Sequence, residues 1–442
     1  MRHSLDAQRP IRRLSSLVWV LAGILSVGSW AADVPPDDAY PIADPYLATV
    51  LGTPPALRAK IPAFVPLEVR SIERFPDRKL PPVFWTGNEL LFGVSKQSGP
   101  APLVFIVAGT GGSWQDRKVT FLRSVLYGAG FHVVALPSPL HSSFVAAASN
   151  GGVPGFLEGD AEDLLAVMEL ARARVEAEVP VDGTALVGYS LGATQAAFVG
   201  ALDARENRLG LSRIYLINPS VRLFTSAAIL DELFDTSLPE GAASVTALVE
   251  EGLREAAAYV HSRERARLGS EFVFAAVAMG ATDRELRGAV AAVFRLAAAN
   301  LSFSADVVSG GGRIVSPDRR LRAATPLMPY FAESLQWSFT RYLDDILAPH
   351  VQGTHGLPRR LLIERAGLAP LAEWLARTPT LAVTTNADDW ILQPTDLEFL
   401  RTTFGERASI HPNGGHCGNI DHAPRVAEML GFLSQPFGLT RP

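Results

Sequence analysis

The hydrophobic positions of this chain alternate between short, continuously apolar runs and longer stretches with helical periodicity, over residues 90–217 and again over 381–433. A continuous apolar run that ends in turn residues is typical of a strand buried on both faces of a parallel sheet. The predicted strands are 83–86, 90–95, 103–107, 132–136, 184–187, 213–217, 381–384 and 408–411. The predicted helices are 160–176, one that begins at 195–201, one near 397, and 424–433. This alternation predicts an α/β protein with a mostly parallel sheet flanked by helices.

The strand–helix alternation stops between residues 221 and 379. This region is rich in Ala and Leu, and it contains helix-like stretches at 246–261, 283–296 and 333–347. We therefore expect a helical insertion that interrupts the sheet, which residues 380–442 then complete.

The first 66 residues have a different character. Arg12 and Arg13 precede an apolar run, Leu14 to Val27, which ends in small residues before Ala32. This pattern predicts a secretory signal peptide over residues 1–31, and hence export, to the periplasm if the source is a Gram-negative bacterium. An uncleaved membrane anchor is the alternative. The proline-rich residues 32–66 are expected to form an extended segment without regular structure, and residues 67–220 to form the first part of the core.

Composition and charge exclude several classes of protein. The chain has 442 residues, of which 48% are hydrophobic and 19% charged, so it can bury a large core. Its formal charge of -5 argues against nucleic-acid binding, which needs a clustered excess of Lys and Arg. The single cysteine, Cys417, excludes an intramolecular disulfide and is expected to be a small packing residue.

A candidate nucleophile lies in the sequence Gly188-Tyr189-Ser190-Leu191-Gly192. The pentapeptide G-x-S-x-G alone is weak evidence, but here an apolar strand precedes it and a helix follows it. Such a strand-to-helix turn strains the serine backbone and exposes its Oγ, and the flanking glycines let strand and helix approach closely. The alternative is a structural Gly/Ser turn.

A serine hydroxyl needs a base, and the base needs an acid that orients it. Both should follow the serine along the chain, first the acid and then the histidine, each on a loop behind a later strand. Asp389, behind strand 381–384, is the preferred acid, and Asp388 is its competitor. His416, on a glycine-flanked loop behind the last strand, is the preferred base, and His422 is its rival.

Acyl transfer also needs hydrogen-bond donors for a developing oxyanion. One should be the N–H of Leu191, the residue after the serine. The other is expected in the glycine-rich turn behind strand 103–107, where Thr110 is preferred and Gly111 is the alternative. That turn lacks the third spaced glycine of a dinucleotide loop and the Gly-Lys-Ser/Thr of a nucleotide loop.

With these pieces the chain resembles the α/β-hydrolase superfamily. The motifs that carry the resemblance are AGTGG at 108–112, GYSLG at 188–192, NADDWIL at 386–392 and NGGHCG at 413–418. The last of these is similar to the YheT-type esterases. The resemblance implies an α/β-hydrolase fold with a helical cap at 221–379 and a serine hydrolase that needs no metal or organic cofactor. Ala108 departs from the family, where a histidine is usual at this position.

The expected activity is cleavage of an ester-type acyl substrate, a small or lipid-like molecule, through Ser190, His416 and Asp389. No nucleic-acid partner and no obligate protein partner is indicated. Amidase, peptidase and thioesterase chemistry use the same three residues, and a non-catalytic binding protein on this scaffold is a further alternative. In the insertion, Phe331, Trp337 and Phe339 either line an acyl pocket or belong to the core.

Overall fold

The structure is a computed structural model. It describes residues 39–435 except 85–86, 239–240, 242, 244 and 246–281. The proposed signal peptide at 1–31 and the helix at 246–261 lie outside the described residues. The strands are β1 (Glu68–Ile72), β2 (Leu90–Ser95), β3 (Ala101–Val107), β4 (His132–Leu136), β5 (Val181–Tyr189), β6 (Leu211–Ile217), β7 (Leu381–Asn386) and β8 (Ala408–His411).

The eight strands form one sheet in the order β1-β2-β4-β3-β5-β6-β7-β8. β2 pairs antiparallel with both β1 and β4, and every pair from β4 through β3 to β8 is parallel. The prediction of an α/β protein with a mostly parallel sheet is therefore confirmed. The parallel strands end at one edge of the sheet, where the loops that follow β3, β5, β6 and β7 can meet.

Helices cover the sheet on both faces and separate most of the strands. They are α1 (Pro45–Leu51), α2 (Arg117–Gly128), α3 (Ser142–Ala147), α4 (Leu157–Glu176), α5 (Leu191–Glu206), α6 (Leu223–Ser237), α7 (Asp283–Ser309), α8 (Met328–Ser334), α9 (Phe339–Tyr342), α10 (Ala348–His355), α11 (Arg359–Arg365), α12 (Ala372–Arg377), α13 (Pro394–Phe404) and α14 (Ala423–Leu433). The edge strands β1 and β8 are partly exposed, but the inner strands are largely buried: all five residues of β4 and all six of β7 are inaccessible or nearly so. This burial explains why their sequences are continuously apolar.

The described part of the insertion between β6 and β7 is helical, from α6 to α12. Its longest helix, α7, begins with a capping box between Thr282 and Glu285 and ends at Gly310 in the left-handed conformation. By length and composition α7 could cross a membrane, but 61% of its most apolar window is buried inside the protein. A core helix has the same properties.

Three expectations about secondary structure are wrong. Residues 32–66 were expected to lack regular structure, but Pro45–Leu51 is an α-helix, capped by the Asp44 carboxylate. A strand at 83–86 is absent at the two described positions, Val83 and Phe84, which lie in a turn. The helix expected over 333–347 is broken, because α8 ends at Ser334 and α9 begins at Phe339.

Candidate active site

Ser190 lies at the tight turn between β5 and α5. Its backbone has φ 56° and ψ -131°, a conformation that non-glycine residues rarely adopt and that therefore carries strain. The flanking glycines are required by space: a Cβ on Gly188 would lie 2.2 Å from the carbonyl oxygen of Gly192, and one on Gly192 would lie 2.4 Å from that of Val107. The sequence pattern G-x-S-x-G thus matches the close approach of β3, β5 and α5.

The structure brings the three preferred residues together. The Nε2 of His416 lies 2.8 Å from the Oγ of Ser190, and its Nδ1 lies 3.1 Å from each carboxylate oxygen of Asp389. With the Nδ1 proton directed to the carboxylate, Nε2 is left to accept the serine proton. All three side chains are buried, with exposed fractions of 7% for Ser190, 4% for His416 and 3% for Asp389.

Asp389 has two further donors besides the histidine. The side-chain amide of Asn218 donates to its Oδ2 at 2.8 Å, and the backbone N–H of Ile391 donates to Oδ1 at 3.3 Å. These donors fix the orientation of the carboxylate toward the imidazole. Asn218 directly follows β6, which neighbours β7, and the sequence analysis had not identified it as a site residue. The sequence signal was its place behind a strand at the same edge of the sheet as Asp389.

Asp388, the competing acid, contacts the loop of His416 and not its ring. Its two carboxylate oxygens accept the backbone N–H groups of Gly415, at 2.9 Å, and Gly414, at 3.1 Å. Burial raises the pKa of Asp388, while these two hydrogen bonds act to lower it. Asp388 therefore fixes the backbone that carries the histidine, and Asp389 is the carboxylate that reaches the imidazole.

The N-terminal helix α1 joins the loops of the acid and of the histidine. The Oγ1 of Thr49 accepts hydrogen bonds from the backbone N–H of His416 at 2.9 Å and from the indole N–H of Trp390 at 3.0 Å, and it donates to the carbonyl of Pro45 at 2.7 Å. The Trp390 ring stands edge-on to the His416 ring, with 5.8 Å between their centroids. Thr49 lies in no sequence motif that indicates a role at the site.

A small cavity opens beside Ser190. Thr110 and Leu191 line it together with Ser190 and His416, so both residues preferred as oxyanion donors border this space. Leu191 is the first residue of α5, where a backbone N–H has no carbonyl one turn earlier to bind. Gly111, the alternative, does not line this cavity. A Cβ on Gly111 would lie 2.9 Å from the Cβ of Ala297 on α7.

Of the other residues singled out in the sequence, some lie near His416 or the cavity and others do not. His422 is buried at the N-cap position of α14, where its ring meets the edge of Tyr40. Cys417 is buried, and its Sγ lies 3.9 Å from the Nε2 of His416. Of the three aromatic residues considered for an acyl pocket, Phe339 lines the cavity, whereas Trp337 is fully buried in the core and Phe331 packs in a separate cluster.

The surroundings of His416 set its basicity. Burial acts to lower its pKa, but Cys417 and the Asp389 carboxylate act in the opposite direction and raise that pKa above the ordinary value of 6.5. The carboxylate stabilises the protonated imidazole by charge and by its hydrogen bond to Nδ1. A general base needs this stabilisation of its protonated form.

Among the described residues, no group of three or more His, Cys, Asp or Glu side chains is placed to hold a metal ion.

Comparisons with known proteins give the following. No protein-family model and no curated protein matches the chain. Solved structures that are similar include a thioesterase domain from the curacin biosynthetic pathway, with 15% identity over 84% of this chain and 100% of that chain and a TM-score of 0.37. An esterase from Pyrococcus furiosus has 11% identity over 86% of this chain and 100% of that chain, with a TM-score of 0.40. Brefeldin A esterase, a bacterial homologue of human hormone-sensitive lipase, has 15% identity over 98% of this chain and 88% of that chain, with a TM-score of 0.39. The strand order of the sheet and the turn at Ser190 define the fold. The resemblance to YheT-type esterases stays a prediction.

Proposed function

We propose that this chain, which has the α/β-hydrolase fold, is a serine hydrolase that cleaves carboxylic esters through an acyl-enzyme on Ser190. One observation carries the proposal: the hydrogen-bonded series from Ser190 through His416 to Asp389, held at the carboxyl edge of the parallel sheet. The order of these residues along the chain, serine, acid, histidine, is that of α/β-hydrolases.

In the first half of the reaction the Oγ of Ser190 attacks the ester carbonyl carbon, and its proton passes to the Nε2 of His416. Asp389 stays ionised, keeps the Nδ1 proton of the imidazole directed toward itself and stabilises the cation that forms. The carbonyl oxygen becomes an oxyanion, which the N–H groups of Leu191 and Thr110 would stabilise. The carbon–oxygen bond to the alcohol then breaks, and the alcohol leaves with the proton from His416.

In the second half a water molecule takes the place of the alcohol. His416 accepts a proton from this water, and the oxygen that becomes hydroxide attacks the acyl-enzyme carbonyl. A second oxyanion then forms in the same position. When it collapses, the bond between Ser190 Oγ and the acyl carbon breaks and Ser190 recovers its proton from His416. The net reaction is ester plus water to acid plus alcohol.

The helical insertion supplies much of the substrate-facing surface in this proposal. Residues of α6 and α7 line the cavity beside Ser190 together with Phe339 of α9. We therefore interpret residues 221–379 as a cap over the reacting centre, and we expect this cap to determine which substrates bind. Amide and thioester cleavage would use the same three residues. These alternatives are therefore distinguished by which substrates the protein cleaves and not by the presence of Ser190, His416 and Asp389.

Turnover by a Ser190→Ala variant tests the proposal, with esters, amides and thioesters of the same acyl group as substrates. The variant should lose turnover of the preferred class by a factor of at least about 10³, with an unchanged circular dichroism spectrum. Ser212→Ala is the matched control, because Ser212 lies at the opposite end of the sheet, where its Oγ donates to the carbonyl of Thr184. Full activity of Ser190→Ala would refute the assignment. A wild-type protein that cleaves none of the three classes would favour a non-catalytic binding protein.

Export remains part of the proposal and rests on the apolar run within residues 1–31. Sequencing the amino terminus of the protein purified from the cell envelope tests it. Cleavage after Ala31 supports export, and an intact amino terminus in the membrane fraction supports the anchor.

A further inference from the structure

The cavity beside Ser190 has an apolar wall made by one face of α6. Leu223, Ala227 and Leu230 follow one another at intervals of four and three residues, which places them on the same side of the helix. Phe294 of α7 and Phe339 of α9 contribute further apolar surface. Contacts of this kind recognise hydrocarbon by burial and offer it no hydrogen bond.

Two polar residues of the lining, Ser220 and Ser226, already have hydrogen-bond partners. The hydroxyl of Ser220 donates to the Oγ of Ser226 at 2.9 Å, and the hydroxyl of Ser226 donates to the carbonyl of Ile391 at 3.0 Å. None of the described residues that line the cavity is Asp, Glu, Lys or Arg. His416, which also lines the cavity, is neutral when it acts as the base, so a charged substrate group would lose its hydration in this space without gaining a partner of opposite charge.

The cavity is also small. It offers about 40 Å³ to the centres of water-sized groups. Side chains of α6, α7 and α9 confine this space beside Ser190. The carbonyl of an ester fills part of this space, and what remains fits a short hydrocarbon chain.

From these three observations we infer that the site takes esters of short, uncharged, apolar acyl groups, from acetyl to butyryl, and that Leu230 of α6 sets the limit on acyl length. The inference rests on the proposed function. With the acyl group in this cavity the alcohol part of the ester lies outside it, so the size of the alcohol has little influence on the rate.

Three substrate series test the inference on the wild-type protein. In the first, 4-nitrophenyl acetate, butyrate and octanoate vary the acyl length. The kcat/KM for butyrate should exceed that for octanoate by at least about tenfold, because methylene groups that do not fit in the cavity contribute no binding energy. In the second, 4-nitrophenyl hemisuccinate is compared with the butyrate, and its carboxylate should lower kcat/KM by at least about 100-fold. In the third, ethyl, butyl and octyl butyrate vary the alcohol, and kcat/KM should change less than about fivefold.

A pair of leucine variants on α6 tests the role of Leu230. Leu230→Ala enlarges the cavity and should raise the octanoate-to-butyrate ratio of kcat/KM by about tenfold. Leu233→Ala is the matched control, because Leu233 is equally buried on the same helix but packs in a different cluster and does not line the cavity. If Leu230→Ala does not fold, Phe294→Leu serves as the second enlargement. An unchanged ratio in the enlarged variant, or the same change in Leu233→Ala, would overturn the role of Leu230.

Failure of the inference can be told apart from failure of the proposed function. If octanoate is cleaved as well as butyrate, if the hemisuccinate is preferred, or if the selectivity lies in the alcohol series, the inference is wrong while ester hydrolysis by Ser190 stands. If no ester in any series is cleaved, the proposed function itself fails.

Discussion

The hydroxyl oxygen of Thr49 accepts a hydrogen bond of 2.9 Å from the backbone N–H of His416, 367 residues further along the chain. The same oxygen accepts the indole N–H of Trp390, the residue next to Asp389. One threonine of the N-terminal helix thus links the loop of the base to the loop of the acid. Gly415 of the histidine loop fits tightly against this helix, because a Cβ at this position would lie 2.0 Å from the carbonyl oxygen of Pro45.

The variant Thr49→Val should misplace His416. Valine keeps the shape of threonine but removes the acceptor, so the N–H of His416 and the indole N–H of Trp390 both lose their partner, at a cost of about 1–3 kcal/mol each if they stay buried. We expect kcat to fall by about 10-fold or more with little change in KM, and the midpoint of urea unfolding to fall. Thr49→Ser retains the hydroxyl and should restore most of kcat. Equal kcat in the valine and serine variants would show that the hydrogen bonds do not position the histidine.

The pH dependence of kcat/KM should report the raised pKa of His416. The base must be neutral to accept the serine proton, so activity is lost as the pH falls through this pKa. Because Cys417 and Asp389 raise it against the opposing effect of burial, the acid limb of the profile should lie above pH 6.5. In Asp389→Asn the carboxylate charge is removed, and the limb should move to lower pH. An acid limb at the same pH in this variant would show that Asp389 does not raise the pKa of His416.

The two neighbouring aspartates should respond differently to the same substitution. Asp389→Asn alters the partner of the imidazole and should lower kcat by about 10²–10⁴-fold. Asp388→Asn keeps one oxygen acceptor for the two glycine N–H groups, so we expect a loss of kcat of about tenfold or less and a small loss of stability. Steady-state kinetics of both variants checks the distinction. A larger loss in Asp388→Asn would reverse the assignment of the acid.

A glycine-to-alanine pair tests the close packing at the nucleophile turn. Gly192→Ala would place a Cβ 2.4 Å from the backbone oxygen of Val107, where no side chain can move aside, so we expect the free energy of unfolding to fall by about 3 kcal/mol or more. Gly431→Ala, in α14, meets nothing within 4 Å and should stabilise the protein by up to about 1 kcal/mol, because alanine favours the helix. Urea unfolding of both variants gives the comparison. Equal stability of the two variants would contradict the structure around Ser190.

Much of the sheet could be predicted because its inner strands are buried on both faces and so appear as continuous apolar runs. β2, β4 and β8 have the predicted bounds, and β3, β5, β6 and β7 extend the predicted runs by a few residues at their ends. β1 was missed because it is an edge strand of mixed character, in which only Ile72 is buried. The helix α1 was missed because its prolines suggested an irregular segment, although proline at the start of a helix is compatible with it.

Within the site, the residues that could be predicted belong to local motifs. Ser190 and His416 lie in glycine-rich sequences whose spacing reflects a local turn. Asn218 and Thr49 could not be found in the same way, because what they do depends on contacts made across the sheet and across almost the whole chain. Asp388 and Asp389 are adjacent in sequence, and only the direction of each side chain in the structure separates the one that holds the loop from the one that meets the imidazole.

The most direct test of the central claim is covalent labelling with a fluorophosphonate, followed by mass spectrometry of the intact protein and of its peptides. We expect one adduct per chain, located on Ser190, with no adduct in Ser190→Ala and strongly slowed labelling in a His416→Ala variant, because the hydroxyl attacks phosphorus only when a base accepts its proton. A wild-type protein that stays unlabelled, or an adduct on another residue, would contradict the account.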